Sequence, residues 1–441
     1  MKQRNVQWLY GELPKLIAAG TLGEEDARRI RAHYGEVKVV PAATVAVILF
    51  GVLGATLVGA GIILILAFNW TALGRPVRAV LSFLPMIAGQ GLVAWALLYK
   101  RDSAAWREGT SAYLAMAVGA SIALVGQTYH IPGNLPNFLL TWVLLGLPLV
   151  YLMSSTMAAV LYVIGATCWT MAAQGDGGHA LWYWPLLGAV LPFAWRQHQH
   201  HREEPRTALL VWVLCLSLCI GLGVALEKVL PGLWIVAYSS LLAVYCLAGR
   251  AWYRDIPGQP LTVVGCFGTA ILAVILTFGD LWRDIGFQHY RAGNSRYLEW
   301  FGVQDYLLVL LLLGGAVALA VRAAGRKDYD VLPWAISPAL AVIGYAIGSA
   351  EGTQDMPPML YNLYLFVLGI LVLRTGIREG RLAVANGGMG ILALLFTVRF
   401  FDSDMGILVR GIAFILIGAG FLAANFWLAR TISTGNREVQ S

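Results

Sequence analysis

What this sequence has least of is charge. Asp, Glu, Lys and Arg make up 12% of its 441 residues, against roughly a quarter in soluble domains. A water-soluble chain of this length needs polar side chains to cover its surface, so a soluble globular fold is excluded. Enzyme fingerprints are scarce too. There is no Gly-x4-Gly-Lys-Ser/Thr phosphate loop, no Cys-x2-Cys pair and no His-Glu-x2-His, so an energised pump would need a partner ATPase. The five cysteines (Cys168, Cys215, Cys219, Cys246 and Cys266) all lie inside apolar runs. They read as small packing residues, not as disulfides or metal ligands. No cleavable signal peptide is expected, because the first apolar run begins near Ala42, behind a charged segment. Charge is nearly absent at mid-depth of the apolar runs, which argues against an ion-coupled pump with buried acids.

What is present points one way. Hydrophobic residues make up 59%, with 49 Gly, 16 Trp and 18 Tyr, and the mean hydropathy is +0.69. Glycine suits close helix packing in lipid, and Trp and Tyr near the ends of apolar runs form an aromatic belt. A bilayer core needs about twenty apolar residues per helix. The sequence therefore predicts an all-α, polytopic transmembrane bundle of about fourteen spans. The first lie at 42–68 and 77–98 and the last at 382–398 and 407–428, least sharply drawn within 136–195. The net charge of +7 follows the loops. With the N-terminus inside, 23 Lys and Arg fall on the cytoplasmic side and 8 outside. This bias fits a bacterial inner membrane with both termini in the cytoplasm. It also makes nucleic acid an unneeded explanation of the basicity.

Three segments are expected: a cytoplasmic helical hairpin over 1–40, a transmembrane domain over 41–430 and a cytoplasmic tail over 431–441. In the hairpin Leu9, Leu13, Leu16 and Ile17 repeat at helical spacing. Gly20 reads as a stop, and Thr21 with Glu24 as a capping box. The long segment from Asp280 to Gln304 reads as an interfacial stretch on the headgroups, with a lid as the sharper alternative. His198, His200 and His201 read as a solvated loop with Glu203 and Glu204. Gln90, Asn362, Asn386 and Asn425 are expected to hydrogen-bond between helices.

The remaining polar residues gather at predicted outer helix ends. Asn69 and Trp70 end the first span. Gln127, Tyr129 and His130 lie in the link between the third and fourth. Glu351, Arg399, Asp402 and Arg410 stand at later outer ends. If they converge, they would line a periplasmic pocket able to bind a headgroup or to do acid–base chemistry through His130 or Glu351. The plainer reading is helix capping and interfacial anchoring, with Arg399 and Arg410 paired to Asp402 and Asp404. No catalytic residue, metal ligand or cofactor is assigned.

Three stretches carry a family resemblance. They are Leu16-Ile17-Ala18-Ala19-Gly20-Thr21 with Glu24-Glu25-Asp26-Ala27-Arg28-Arg29-Ile30 and His33-Tyr34-Gly35; Gly59-Ala60-Gly61-Ile62-Ile63 running into Ala67-Phe68-Asn69-Trp70; and Gly126-Gln127-Thr128-Tyr129-His130 with Trp142 and Pro148 beyond. The chain resembles the bacterial membrane-protein family called domain of unknown function 2157. That resemblance implies an inner-membrane protein with a cytoplasmic helical N-terminus, and no assigned reaction. Three functions are then weighed. The first is a transporter or flippase-like handler of a lipid or envelope precursor. The second is an enzyme acting on a lipid-linked substrate at the periplasmic face. The third is a non-catalytic scaffold or sensor. The expected partners are the bilayer, a lipid or lipid-linked ligand, and a cytoplasmic protein docked through residues 1–40.

Overall fold

In lipid a backbone must satisfy its own hydrogen bonds, and long apolar runs do so as helices. The computed structural model describes residues 3–34, 70, 73–175, 182–226, 232–253, 258–283, 300–350, 353, 355–402, 411, 415, 418 and 419, and every regular element among them is helical. The chain divides into two compact units, Met1–Arg78 and Ala79–Ser441.

The first unit opens with α1 (Gln3–Ala18) and α2 (Glu24–Tyr34). Gly20, at φ +70°, ends α1 as expected. The amides of Gly20 and Thr21 return to the carbonyls of Ile17 and Leu16 at 3.0 Å each, which satisfies carbonyls a helix end leaves open. The expected capping box does not form. Helix α2 starts at Glu24 itself, and Ala27 N–H donates to the Gly23 carbonyl, so Gly23 stands where Thr21 was expected. The reversal at Gly20 uses up Thr21. Tyr10 Oη donates to the Arg31 carbonyl at 3.2 Å and ties the two helices, and Leu13 is buried.

The second unit is built from long helices: α3 (Arg75–Tyr99, whose first residues belong to the first unit), α4 (Ala104–Tyr129), α5 (Leu135–Leu152), α6 (Thr156–Gly175), α7 (Tyr183–His201) and α8 (Pro205–Ala225). After them come α9 (Leu233–Trp252), α10 (Pro260–Ile275), the short α11 (Asp280–Arg283) and α12 (Trp300–Gly325). A 3₁₀ turn (Tyr329–Val331), α13 (Leu332–Ala335) and α14 (Ser337–Gly348) act as one rod, followed by α15 (Met356–Arg378) and α16 (Leu382–Asp402). Ten helices among the described residues are long and apolar enough to cross a bilayer. Helices α7 and α10 fall outside that set. The expected span 42–68 lies outside the described residues, and of 407–428 only 411, 415, 418 and 419 are described.

Apolar side chains face outward as well as inward, which only lipid tolerates. On α12 Leu307, Leu311, Val317 and Val321 are all exposed, Leu311 by 71%, and at about 100° per residue they share one helix face.

Cross-helix bonds show that the helices alternate in direction. Glu108 at the start of α4, Thr156 at the start of α6 and Arg206 at the start of α8 meet at one end. His198 near the end of α7 meets Tyr253 beyond α9 at 2.7 Å. Arg250 in α9 meets Asp328 before the 3₁₀ turn, and Arg378 at the end of α15 meets Asp330. At the opposite end Arg399 of α16 meets Thr277 beyond α10. Helices α7 and α10, though shorter or less apolar, therefore reach across the bundle like the rest. Among the described residues of this unit, thirteen Lys and Arg stand toward the first end, here termed the basic end. Only Arg283 and Arg399 stand toward the other.

Three local expectations are corrected. His198, His200 and His201 form the last turn of α7, not a loop. Asn362 does not bridge helices: its Nδ2 donates to the carbonyl of Pro358 in its own helix at 2.8 Å, while Gln90 and Asn386 are exposed. Asn425 lies outside the described residues. The segment after Asp280 does not begin as an interfacial stretch. Trp282 is fully buried, donates Nε1–H to the Leu276 carbonyl at 2.9 Å, and packs on Tyr361 with ring centroids 5.9 Å apart. Gly344 and Gly348 of α14 supply the room for that indole.

Candidate functional site

Two helical hairpins of the second unit are stitched by glycine. In α9–α10, a Cβ on Gly265 would come within 2.9 Å of the Leu242 carbonyl oxygen. In α15–α16, one on Gly388 would come within 2.8 Å of the Gly369 carbonyl oxygen. Backbones this close pack as rigid pairs. The turns that join them use Gly258 and Gly380 at φ +75° and +63°, conformations that residues with a Cβ resist.

Between these two hairpins, at the basic end, lies a cavity of about 650 Å³. That falls within the usual range for small-molecule and cofactor sites. Its rim carries Arg250, Asp330, Glu379 and Arg381. Its depth is apolar, with Ala270 on α10, Trp334 on α13, Val372 on α15 and Ile391 on α16. Gln259 and Ala270 mark the span on α10, a depth of about 16 Å at the helical rise. Phe267 lines the cavity yet is 67% exposed, so the wall opens sideways on the outer face of α10.

The rim charges are balanced and held. Arg250 reaches both oxygens of Asp328, at 3.1 and 3.3 Å. Arg378 holds Asp330 at 2.5 Å, and Arg381 donates to Glu379 at 3.1 Å. Two cations and two anions at one mouth do not select a strongly anionic ligand. They suit a zwitterionic or polyhydroxyl headgroup, with the apolar depth taking a chain. Cys266 lines the cavity, and its Sγ lies 3.3 Å from that of the buried Cys246 behind it, beyond the length of a disulfide bond, so both thiols are free. No group of three or more His, Cys, Asp or Glu able to hold a metal occurs among the described residues.

None of the predicted outer residues that are described lines this cavity. Gln127 and Tyr129 end α4 exposed. His130 caps that helix in the left-handed region at φ 50°, with its N–H on the Gly126 carbonyl, so its backbone serves the chain reversal. Arg399 donates to the Thr277 carbonyl and hydroxyl at 2.6 and 2.7 Å and lies 5.4 Å above the Phe278 ring, tying α16 to the turn after α10. Asp402 is the last residue of α16. Trp70 belongs to the first unit and is buried. Asn69, Glu351, Asp404 and Arg410 lie outside the described residues.

The sequence reading passed over Glu108. Its carboxylate accepts from Ser155 Oγ at 2.6 Å, Thr156 N at 3.1 Å and Met157 N at 2.8 Å. Ser155 Oγ in turn accepts from Ala158 N and from Ser111 Oγ, at 3.2 and 2.6 Å. Open N–H groups of α6 are thus satisfied by an acid 48 and 49 residues away, at the positive end of the helix dipole. Arg206 Nη1 lies 3.5 Å from the same carboxylate. Arg206 also pairs with Glu204 and holds that carboxyl below its ordinary value, mainly through their hydrogen bond. The only sequence signal was Ser155-Thr156, a Ser in N-cap position before an apolar run.

Residues 14–159 match the family model described as Predicted membrane protein (DUF2157), so the resemblance read from the sequence holds over that stretch. The matched residues take in Glu108, Ser111 and the Ser155 turn. No curated protein and no solved structure matches the chain.

Proposed function

We propose that this membrane protein is a transporter or flippase-like handler of a lipid or envelope precursor in a bacterial inner membrane. The carrying observation is the cavity of about 650 Å³ with a charge-balanced rim, an apolar depth and a side opening at Phe267. An amphiphile entering from the leaflet would leave its headgroup among Arg250, Asp330, Glu379 and Arg381 and its chain against Trp334 and Ile391. The surplus of Lys and Arg at this end supports a cytoplasmic orientation for it, and with it cytoplasmic termini. On this reading the cargo site faces the cytoplasmic leaflet, and the outer polar residues serve as caps and ties. The hairpin of α1 and α2, with Glu24, Glu25, Arg28 and Arg29 on its second helix, supports docking of a cytoplasmic partner as an accompanying role.

Native mass spectrometry of the protein released from nanodiscs tests the reading. A stoichiometric lipid that survives washing is the expected result. Gly387 lines the cavity, and a Cβ there meets nothing within 4 Å. Gly387→Leu should therefore fill the cavity and evict that lipid while leaving the protein folded. A wild-type protein carrying only loosely held bulk phospholipid, or a Gly387→Leu variant with its lipid unchanged, would move the weight to a scaffold.

A further inference from the structure

A second, smaller cavity opens at the basic end on the other side of α8, and its chemistry is different. It measures about 240 Å³ and lies between the start of α4, the turn between α5 and α6, the end of α7 and the start of α8. Arg107, Arg196, Arg206, His200 and His201 line it, with no carboxylate in the wall among the described residues. Two acids stand behind it. Glu108 and Glu204 both pair with Arg206, and Glu204 also takes His201 at 2.8 Å. Those contacts account for Arg206 and His201. Arg107 and Arg196 form no ion pair among the described residues, and two guanidinium groups are left facing one cavity without a counter-charge.

Two buried atoms point the same way. Arg107 Nε is buried with no hydrogen-bond partner among the described residues. Gln197, 7% exposed, lines the cavity with its Oε1 likewise unpartnered. That oxygen is an acceptor, and a phosphate that keeps one proton carries an O–H it can take. A buried donor left open costs free energy unless something fills it. Guanidinium forks match tetrahedral oxyanions better than they match water.

We infer that this cavity binds a phosphate group, held by Arg107 and Arg196 with Gln197 and His200 beside it. The phosphate sits at the ends of membrane helices, at the level where lipid headgroups lie. It belongs either to an anionic phospholipid or to a soluble phosphate compound. This site does not depend on the larger cavity, and Gly387→Leu should leave it untouched.

The test uses the full chain in phosphatidylcholine nanodiscs containing a minor share of phosphatidic acid, read by native mass spectrometry. A parallel arm titrates inorganic phosphate against the protein in phosphatidylcholine alone, read by phosphorus NMR line width. Wild type should retain phosphatidic acid or broaden the phosphate line. Arg107→Gln with Arg196→Gln should weaken that binding at least about tenfold, as expected for losing two charge-assisted contacts. Arg322→Gln, at the same end but outside the cavity, should change nothing. Retention of the lipid with no phosphate broadening identifies a headgroup site, and the reverse identifies a soluble ligand. If the double variant fails to fold, Arg196→Gln alone, at an exposed position, is read instead. Equal binding by wild type and the arginine variants in both arms, or no binding by wild type in either, overturns the proposal.

Discussion

The two halves of the second unit hold together by different means. Helices α4–α8 are joined by side chains that reach across. Glu108 caps α6, Trp142 Nε1 donates to the Ala115 carbonyl at 2.7 Å, and Tyr162 Oη to the Leu186 carbonyl at 2.9 Å. Ser217 of α8 gathers Thr167 and Tyr183 at 2.6 and 2.8 Å. Helices α9–α16 depend more on glycine, which lets backbones touch within α9–α10 and within α15–α16. The difference explains the voids. Polar bridges draw several helices to one point, and the small cationic cavity sits at the rim. Glycine hairpins pack tightly within each pair, so the space falls between the pairs, where the large cavity lies.

The sharpest way to break the first half is at Glu108. Glu108→Ala removes three hydrogen bonds to a carboxylate and leaves Arg206 one acid fewer. Losing a partly buried charged acceptor of this kind should cost about 3 kcal/mol. Thermal unfolding of the purified protein would register it as a lower midpoint. Glu108→Gln keeps one acceptor oxygen and should recover part of the loss. If Ala were as stable as wild type, the start of α6 would be held by packing and not by its cap.

A smaller loss is expected in the second half. Gly388→Ala places a methyl group 2.8 Å from both the Gly369 oxygen and the Leu373 Cα. Backbone cannot yield like a flexible side chain, so α15 and α16 must separate. Overpacking of this sort should cost about 2 kcal/mol, again as a lowered unfolding midpoint. An unchanged midpoint would show that the hairpin tolerates a wider spacing, and the contrast with α4–α8 would lose its basis.

The helices themselves were legible because lipid imposes length and composition together. The turn at Gly20 was legible because few residues other than glycine accept its backbone, at φ +70°. The site was not legible, for reasons that particular residues show. Glu108 resembles any acid near a helix start until the fold brings Ser155 to it. Trp282 looked like a headgroup anchor, yet Gly344 and Gly348 on a distant helix make room for it in the core. Asn362 looked like glue between helices and instead bonds its own backbone. Arg399 was expected near acids of its own loop and is placed on Thr277, 122 residues earlier. The misses at Glu108, Trp282 and Arg399 are contacts between segments far apart in sequence, which periodicity cannot report, whereas Asn362 turned back on its own helix four residues away.

The smallest predicted effect separates two neighbours that the sequence does not distinguish. Gly387 and Gly388 are consecutive in α16, but a helix turns about 100° per residue. Gly388 therefore meets α15, whereas Gly387 looks into the large cavity with nothing within 4 Å of a Cβ. Alanine at 387 touches nothing and lowers the chain entropy of the unfolded state. Gly387→Ala should then raise stability by up to about 1 kcal/mol, opposite in sign to Gly388→Ala. Paired unfolding measurements on the two variants would read the difference directly. Opposite signs would place the cavity on one face of α16 and the hairpin seam on the other. Equal losses would mean that both faces are packed, leaving no cavity for an amphiphile to enter.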